Sequence, residues 1–382
     1  MSNPLAMPQR DHLESIDALR GIASIYVVVF HIAFIPQPNL MLPDWARPFI
    51  HMGGSGVTLF FVVSALCLCI AMRRHQQESS PKVAFYIRRF FRIAPLFYIW
   101  LLMSSARDWI FSGVSPSWQD VLLNIFFCFN FIPNKQEGIV WASWTIGVEM
   151  VFYLVFPFIF RYVSNWWKSV LFFLFTLLLT NSYSMIADHF MISESQKMAF
   201  LGCSLFHHLP SFALGMSVFF IFEHFIQNKS IPSGFAIILV GASIFLYCAV
   251  AGVSEHSIYL VSLVEWFKWP YWQSILYGLV LMGLTIVPFR VLVNRITINY
   301  GKISYSAYLN HPTLVIMLLP IYRAIYSIDI SPILQYGFCL VFTLVLLTII
   351  SYCTYRFIEQ PGIRFGSHLI RKLQSRSTEY QT

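Results

Sequence analysis

The sequence IDALRGIASIYVVVFH, residues 16–31, determines how the rest of the chain can fold. It is an apolar segment with Asp17 and Arg20 near its start and His31 at its end. Arg20 and His31 are eleven residues apart, which in an α-helix is about three turns plus about 20°. Both side chains therefore lie on one helix face, about 16 Å apart along the axis.

The composition places this segment in a membrane protein. Of the 382 residues, 57% are hydrophobic and 11% are charged, and the mean hydropathy is +0.66. A soluble protein would carry about 25% charged residues, so a large soluble domain is excluded. The basic residues behind the net charge of +8 lie mostly in the loops between apolar segments. We therefore expect no nucleic-acid partner.

Ten apolar segments are long enough to cross about 30 Å of hydrocarbon as helices. With the N-terminus inside the cell, most of the 25 Lys and Arg residues fall in cytoplasmic loops. The positive-inside rule then predicts an all-α polytopic membrane protein with both termini in the cytoplasm. The predicted spans are residues 17–36, 53–72, 93–111, 143–161, 169–187, 203–225, 233–252, 270–289, 303–325 and 333–356.

The spans divide the chain into three regions. We expect a cytoplasmic N-terminal segment (1–16), a transmembrane domain (17–356) and a basic cytoplasmic tail (357–382). Residues 120–132 are apolar but too short to span, so they are interpreted as an interfacial or re-entrant piece on the outer side. Because the first segment is polar and partly acidic, no removable signal peptide is expected.

Two ionisable residues lie at similar predicted depths in the membrane. His31 lies about 7 Å below the outer boundary and Glu149 about 9 Å below it. A neutral imidazole beside a carboxylate can act as a general base that takes a proton from an attacking hydroxyl. Two alternatives remain open: the two side chains only fix helix packing, or Glu149 pairs with Arg107.

The most basic stretch is the first cytoplasmic loop, which contains Arg88, Arg89 and Arg92. Arg89 and Arg92 share a helix face, an arrangement that suits a phosphate-rich ligand. The alternative is a topology signal that also attracts anionic lipid. Arg20, at the inner end of the first span, either joins this ligand site or pairs with Asp17.

Three further polar residues, Ser64, Tyr305 and His311, lie inside predicted spans. They either contact a substrate or serve the helices, Ser64 by bonding to the backbone and His311 beside the kink at Pro312. The seven cysteines show no metal or disulfide spacing, and the sequence contains no H-E-x-x-H motif. We therefore expect no metal.

Short motifs recur in one order along the chain. They are LRG at 19–21 with His31, FFVVS at 60–64, RRFFRIAP at 88–95, WTIGVE at 144–149, GKISYS at 301–306, YLNHP at 308–312 and FIEQP at 357–361. Together they resemble the membrane acyltransferase-3 family of acyl-CoA-dependent acyltransferases. The chain departs from the family's usual pattern at Ala65, where glycine is usual, and at Asn310, where a large aromatic residue is common.

The resemblance implies roles for particular residues. His31 is expected to be the catalytic histidine, with Arg20 as its partner. The other active-site positions that it implies are the arginine pair Arg89 and Arg92, and Trp144 with Glu149. We expect the phosphates of coenzyme A at Arg20 and the Arg88–Arg92 cluster, with its thioester arm along the Arg20–His31 face. We expect the acceptor to contact Trp144, Ser64, Tyr305 and His311.

The predicted function is O-acylation at the bacterial inner membrane. The donor is acetyl-CoA or another acyl-CoA, and the acceptor is a hydroxyl of a lipopolysaccharide O-antigen, exopolysaccharide or other surface glycan, as in stand-alone relatives without an appended esterase-like domain. His31 either deprotonates this hydroxyl or carries the acyl group itself. The oligomeric state stays open. The alternative is a transporter or flippase that uses His31, Glu149 and His311 as a polar pathway.

Overall fold

The computed structural model describes residues 10–190, 193–226, 231–253 and 269–379. In these ranges the backbone forms α-helices joined by loops and short 3-10 or π turns, without a strand, so the all-α prediction is confirmed for them. The α-helices are α1 (Arg10–Phe34), α2 (Arg47–His51), α3 (Gly56–Arg74), α4 (Pro81–Ser112), α5 (Trp118–Ile125), α6 (Trp144–Tyr162), α7 (Trp166–Phe190), α8 (Glu194–Gly202), α9 (Leu205–Ile221), α10 (Ser233–Val253), α11 (Trp269–Ile286), α12 (Arg295–Lys302), α13 (Ser304–Met317), α14 (Leu319–Tyr326), α15 (Pro332–Thr354) and α16 (Gln360–Glu379).

Several helices have the length and composition of membrane spans. Each of the ten predicted segments lies largely on a described helix, except 303–325, which α13 and α14 share. The break follows Leu318, where Pro320 in the first turn of α14 lacks the N–H that a continuous helix needs. Ten crossings and cytoplasmic termini stay predictions. Six described stretches are long and apolar enough to span, namely Glu14–Phe34, Arg47–Arg74, Trp144–Tyr162, Trp166–Phe190, Glu194–Phe225 and Pro332–Ser375.

Residues 120–132 do not form a spanning helix, as predicted from their length. Helix α5 has 8 residues, which is about 12 Å, and a 3-10 turn follows at Phe129–Phe131. The Ser117 side chain caps α5 by accepting a hydrogen bond from the Asp120 backbone N–H. The side of the membrane on which this piece lies stays a prediction.

Helix α4 is longer than its predicted span. It has 32 residues and begins at Pro81, so Arg88, Arg89 and Arg92 lie on a helix and not in a loop. The sequence analysis counted this stretch with the first cytoplasmic loop but placed Arg89 and Arg92 on one helix face, and the helical geometry is confirmed. Arginine is a good helix former, and Pro81 occupies the first turn, where its missing N–H costs nothing. The arginines and the predicted span 93–111 therefore belong to one rigid element.

The chain divides into two compact units. The first unit comprises residues 1–67, 165–173 and 210–349, and the second comprises residues 68–164, 174–209 and 350–382. Helices α1 and α13, with His31 and His311, belong to the first unit. Helices α4 and α6, with the arginine cluster, Trp144 and Glu149, belong to the second unit.

In the first unit, α1 packs against α12 with backbone nearly touching backbone. A Cβ atom at Gly21 would overlap the carbonyl oxygen of Thr297, and one at Gly301 would overlap that of Asp17. Only glycine permits this approach at either position. The pair of glycines therefore fixes the start of α1 against the short helix that leads into α13.

The middle of α1 is held in the same way by the residues before α3. A Cβ atom at Gly53 would overlap the Tyr26 carbonyl oxygen, and one at Gly56 would crowd the Ala23 carbonyl oxygen. The Tyr336 hydroxyl, on α15, donates a 2.6 Å hydrogen bond to the carbonyl oxygen of Val29. Helix α1 is thus fixed along the stretch that ends at His31.

In the second unit, α16 lies against α4. A Cβ atom at Gly362 would crowd the Pro95 ring, and one at Gly366 would crowd the Phe91 ring. The predicted tail 357–382 is therefore helical as far as residue 379 and contacts α4 at Gly362 and Gly366. Residues 380–382, like residues 1–9 of the predicted N-terminal segment, lie outside the described residues.

The glycine contacts of α1 give a test of the fold. Helix propensity alone favours alanine over glycine within a helix, by up to about 1 kcal/mol. Because of the backbone overlap, Gly21→Ala and Gly301→Ala should instead lower the free energy of unfolding by about 1–3 kcal/mol. Gly241→Ala, in α10 with open space around it, is the matched control and should not be destabilised. Thermal unfolding in one detergent compares the three variants. Equal unfolding midpoints would contradict the close contact between α1 and α12.

Candidate active site

The first unit brings His31 and His311 together. Nε2 of His311 lies 3.1 Å from Nδ1 of His31, although the two residues are 280 positions apart in sequence. Nδ1 of His31 also lies 2.9 Å from the Val27 carbonyl oxygen, and Nδ1 of His311 lies 2.5 Å from the Tyr308 carbonyl oxygen. His311 is fully buried and His31 is half-buried. The two rings therefore form a hydrogen-bonded pair anchored on two backbone carbonyls.

The elements that carry this pair run in the same direction. Gly301 lies beside Asp17, and ten or more residues later His311 lies beside His31. Helix α1 and the segment formed by α12 and α13 are therefore parallel. Arg20 and His31 lie on one uninterrupted helix, as the sequence analysis assumed, and their separation is about 16 Å. The half-buried Arg20 side chain is thus at one end of a helix face whose other end is the histidine pair.

Aromatic rings surround the histidine pair. The His31 ring lies 5.0 Å from the Phe30 ring, and the His311 ring lies 5.4 Å from the Tyr308 ring. The Phe30 ring also contacts the ring of the exposed His51 edge-on, at 5.8 Å. Such surroundings limit water around the imidazoles and strengthen their hydrogen bonds.

Two predicted substrate residues also lie in the first unit. Ser64 is half-buried on α3, and Tyr305 is half-buried on α13, six residues before His311. Their predicted contacts with an acceptor stay predictions. Tyr308, which the sequence analysis noted only as part of a motif, contributes the carbonyl oxygen that holds His311.

The arginines of α4 differ in their surroundings. Arg88 forms a 2.5 Å ion pair with Glu78, which also lies 2.7 Å from His75. Burial raises the pKa of the Glu78 carboxyl, but hydrogen bonding to Arg88 and the charges of Arg88 and His75 outweigh it and hold the pKa below its usual value. Arg89 lies over the rings of Phe85 and Tyr153, with its guanidinium carbon 5.7 and 5.6 Å from their centroids.

These contacts separate three arginines that look alike in the sequence. Arg88 pairs with a neighbouring carboxylate, and Arg89 makes cation–π contacts with two aromatic rings. Arg92 is half-buried one helical turn beyond Arg89.

Helix α6 carries the other predicted site residues of the second unit. The Trp144 ring lies 5.3 Å from the ring of the buried His208, and Glu149 is half-buried further along the helix. The pairing of Glu149 with His31 stays a prediction. Its alternative partner, Arg107, forms a 2.7 Å ion pair with Asp108 and lies over the Trp141 ring.

Asn130, which the sequence analysis did not single out, holds the start of α6. Its side-chain nitrogen lies within hydrogen-bond distance of the backbone carbonyl oxygens of Gln136, Trp144 and Cys203, at 3.1, 3.1 and 2.8 Å. A Cβ atom at Gly147 would overlap its amide, so the glycine of the WTIGVE motif makes room for it. An amide within the apolar run 120–132 was the signal that could have identified it.

No three His, Cys, Asp or Glu side chains gather as metal ligands within the described ranges.

Comparison with known proteins identifies the family. A family model described as an acyltransferase domain, the acyltransferase-3 model, matches residues 13–352, nearly the whole chain. The chain belongs to the acyltransferase-3 family. Its apolar helices agree with the membrane location that the family resemblance implied.

Individual acyltransferase-3 relatives are distant. O-acetyltransferase OatA of Staphylococcus aureus (strain MRSA252) is 21% identical over 404 residues, covering 97% of this chain and 60% of that protein. Acyltransferase MdmB of Streptomyces mycarofaciens is 26% identical over 177 residues, covering 42% of this chain and 44% of that protein. Peptidoglycan O-acetyltransferase OatA of Listeria monocytogenes is 26% identical over 178 residues, covering 42% of this chain and 26% of that protein. The chain thus spans 60% or less of these relatives, and no solved structure matches it.

The role of Asn130 can be tested by removing its side chain. Asn130→Ala would remove the amide whose two hydrogens serve these backbone carbonyls, two of them in buried contacts, and we expect the free energy of unfolding to fall by about 2–5 kcal/mol. The exposed Asn39 provides the control variant Asn39→Ala, which should unfold as the wild type does. Thermal unfolding in detergent compares them, and an unchanged midpoint for Asn130→Ala would show that its hydrogen bonds do not hold α6.

Proposed function

We propose that this protein is a membrane O-acyltransferase of the bacterial inner membrane that transfers an acyl group, in the first instance acetyl, from cytoplasmic acyl-CoA to a hydroxyl of a surface glycan. The observation that carries the proposal is the hydrogen-bonded pair of His31 and His311 in an acyltransferase-3 chain, with His31 on a helix long and apolar enough to span a membrane. An imidazole oriented by a second group is the usual arrangement for a general base or a nucleophile.

In either of two routes, one ring nitrogen of His31 takes part in the reaction. In the general-base route, His31 removes the proton of the acceptor hydroxyl while its oxygen bonds to the thioester carbonyl carbon. The carbon–sulfur bond then breaks, and the coenzyme A sulfur leaves with the proton. In the acyl-carrier route, His31 itself attacks the thioester and then passes the acyl group to the hydroxyl. Both routes release one free thiol per ester formed.

The donor is proposed from the positions of the basic residues. In the first unit, Arg20 is proposed to bind the phosphate end of acyl-CoA, and the helix face from Arg20 to His31 its pantetheine arm. The separation of Arg20 and His31, about 16 Å, is of the order of the length of that arm. In the second unit, Arg88, Arg89 and Arg92 are proposed to bind phosphate.

The acceptor is proposed from the relatives' names and from the remaining polar residues. Two of the relatives are named O-acetyltransferases, and one of these a peptidoglycan O-acetyltransferase, which supports a hydroxyl on a glycan. Trp144 offers an aromatic face of the kind on which sugar rings stack. Glu149, Ser64 and Tyr305 offer hydroxyl or carboxylate contacts. Acceptor entry from the outer side rests on the proposed ten-span topology with cytoplasmic termini.

The proposed chemistry predicts that His31→Ala abolishes transfer. We expect membranes containing normal amounts of this variant to transfer radiolabelled acetyl from acetyl-CoA to surface polysaccharide at least about 100-fold more slowly than wild type. The exposed His189 provides the control variant His189→Ala, which should keep wild-type transfer. Retained transfer by His31→Ala would show that His31 does not take part in the reaction.

The phosphate-binding proposal predicts a selective loss in the double variant Arg89→Ala/Arg92→Ala. Two charge-assisted contacts are lost, so we expect acyl-CoA to bind about 10- to 100-fold more weakly while acceptor affinity changes little. Arg371→Ala/Lys372→Ala removes two exposed positive charges from α16 and controls for net charge. Binding of acyl-CoA to purified protein is measured by titration, and equal affinities for the two double variants would exclude the phosphate role.

Thiol release separates an enzyme from the alternative transporter or flippase. Purified protein with acyl-CoA and a glycan acceptor should release free coenzyme A in proportion to the ester formed, whereas a carrier moves its substrate without breaking the carbon–sulfur bond.

A further inference from the structure

The hydrogen bonds of His311 fix which of its nitrogens carries a proton. Nδ1 lies 2.5 Å from the Tyr308 carbonyl oxygen. A carbonyl oxygen can only accept hydrogen bonds, so this Nδ1 is protonated and donates. In the neutral imidazole the other nitrogen then holds a lone pair, and Nε2 of His311 is an acceptor.

The same reasoning continues to His31. Its Nδ1 faces two acceptors, the Val27 carbonyl oxygen at 2.9 Å and Nε2 of His311 at 3.1 Å. Nδ1 of His31 must therefore carry the proton that is shared between them. Neutral His31 then has its lone pair on Nε2, and no group within the described ranges is hydrogen-bonded to that atom.

We propose that His311 is a positioning residue that holds His31 in the Nδ1-protonated tautomer, so that Nε2 of His31 is the nitrogen that reacts. What Nε2 reacts with rests on the proposed function. In the general-base route, Nε2 takes the proton of the acceptor hydroxyl as the oxygen bonds to the thioester carbon, and it gives that proton to the coenzyme A sulfur when the carbon–sulfur bond breaks. The ester and free thiol then leave the pair as it began.

The pair also stabilises the charge that the reaction creates. Once Nε2 has gained a proton, His31 is an imidazolium whose Nδ1–H still donates to the lone pair of His311. Its positive charge is therefore shared with a neutral ring and with the Val27 carbonyl oxygen. In hydrolase triads, too, a third residue orients the base by accepting a hydrogen bond from its other N–H. Replacing that residue lowers kcat by as much as about 10⁴-fold.

Packing is the competing explanation, because His311 is fully buried and precedes Pro312 inside α13. Two variants with side chains of similar size distinguish a packing role of His311 from a positioning role. His311→Gln places a carbonyl oxygen where Nε2 lies and can still accept from His31, whereas His311→Leu cannot. We expect His311→Leu to lower kcat about 100-fold or more with KM for acyl-CoA within about 3-fold, and His311→Gln to retain kcat within about 10-fold. Equal kcat values for the two variants would overturn positioning.

The tautomer itself is measured without any reaction. Nitrogen-15 NMR of wild-type protein with labelled histidine, in lipid nanodiscs, reports which ring nitrogen of His31 bears hydrogen, and a His31→Ala sample assigns its signals. We expect a protonated Nδ1 and a lone-pair Nε2 in the wild type. A wild-type His31 protonated on Nε2 would overturn the proposal even if the protein transfers acyl groups. The expected tautomer without any acyl transfer would support the proposal and overturn only the proposed function.

Discussion

The close approach of backbone to backbone along α1 is the contact on which the rest of the first unit depends. Gly21 and Gly301 remove the side chains that would otherwise separate α1 from α12, and Gly53 and Gly56 do the same at the middle of α1. Because α12 leads directly into α13, the contact at Gly301 also sets the position of His311 along α1. The register of one histidine against the other is thus determined about ten residues away, by atoms that carry no chemistry.

Much of this fold could be predicted from composition and periodicity. A membrane helix must satisfy its backbone internally, so long apolar runs indicate helices with little ambiguity, and the ten predicted segments lie on described helices. The shared face of Arg20 and His31 follows from helix geometry alone. The start of α4 at Pro81, well before the predicted span, was not predicted, because charge marks the membrane boundary and not the end of a helix.

The contacts of the site were less predictable, because they join distant residues. Nothing near His31 indicates that His311, 280 positions away, is hydrogen-bonded to it. The pairing of His31 with Glu149, which their similar predicted depths suggested, stays a prediction. Depth alone leaves the rotation of each helix about its axis undetermined, and that rotation decides which side chains meet. The contacts of Arg88 with Glu78 and of Arg89 with Tyr153 likewise join residues from different parts of the sequence.

A histidine partner has a physical advantage over a carboxylate at this place. A buried carboxylate beside a neutral imidazole is an uncompensated charge in a medium of low dielectric, and its desolvation costs several kcal/mol. Two neutral imidazoles anchored on the carbonyl oxygens of Val27 and Tyr308 avoid that cost before the reaction begins. Charge then arises only during the proposed reaction, when His31 gains a proton as negative charge develops on the thioester oxygen. Because the two charges form together and are close, each compensates the other's desolvation, and the pair is stabilised most in the state through which the reaction must pass.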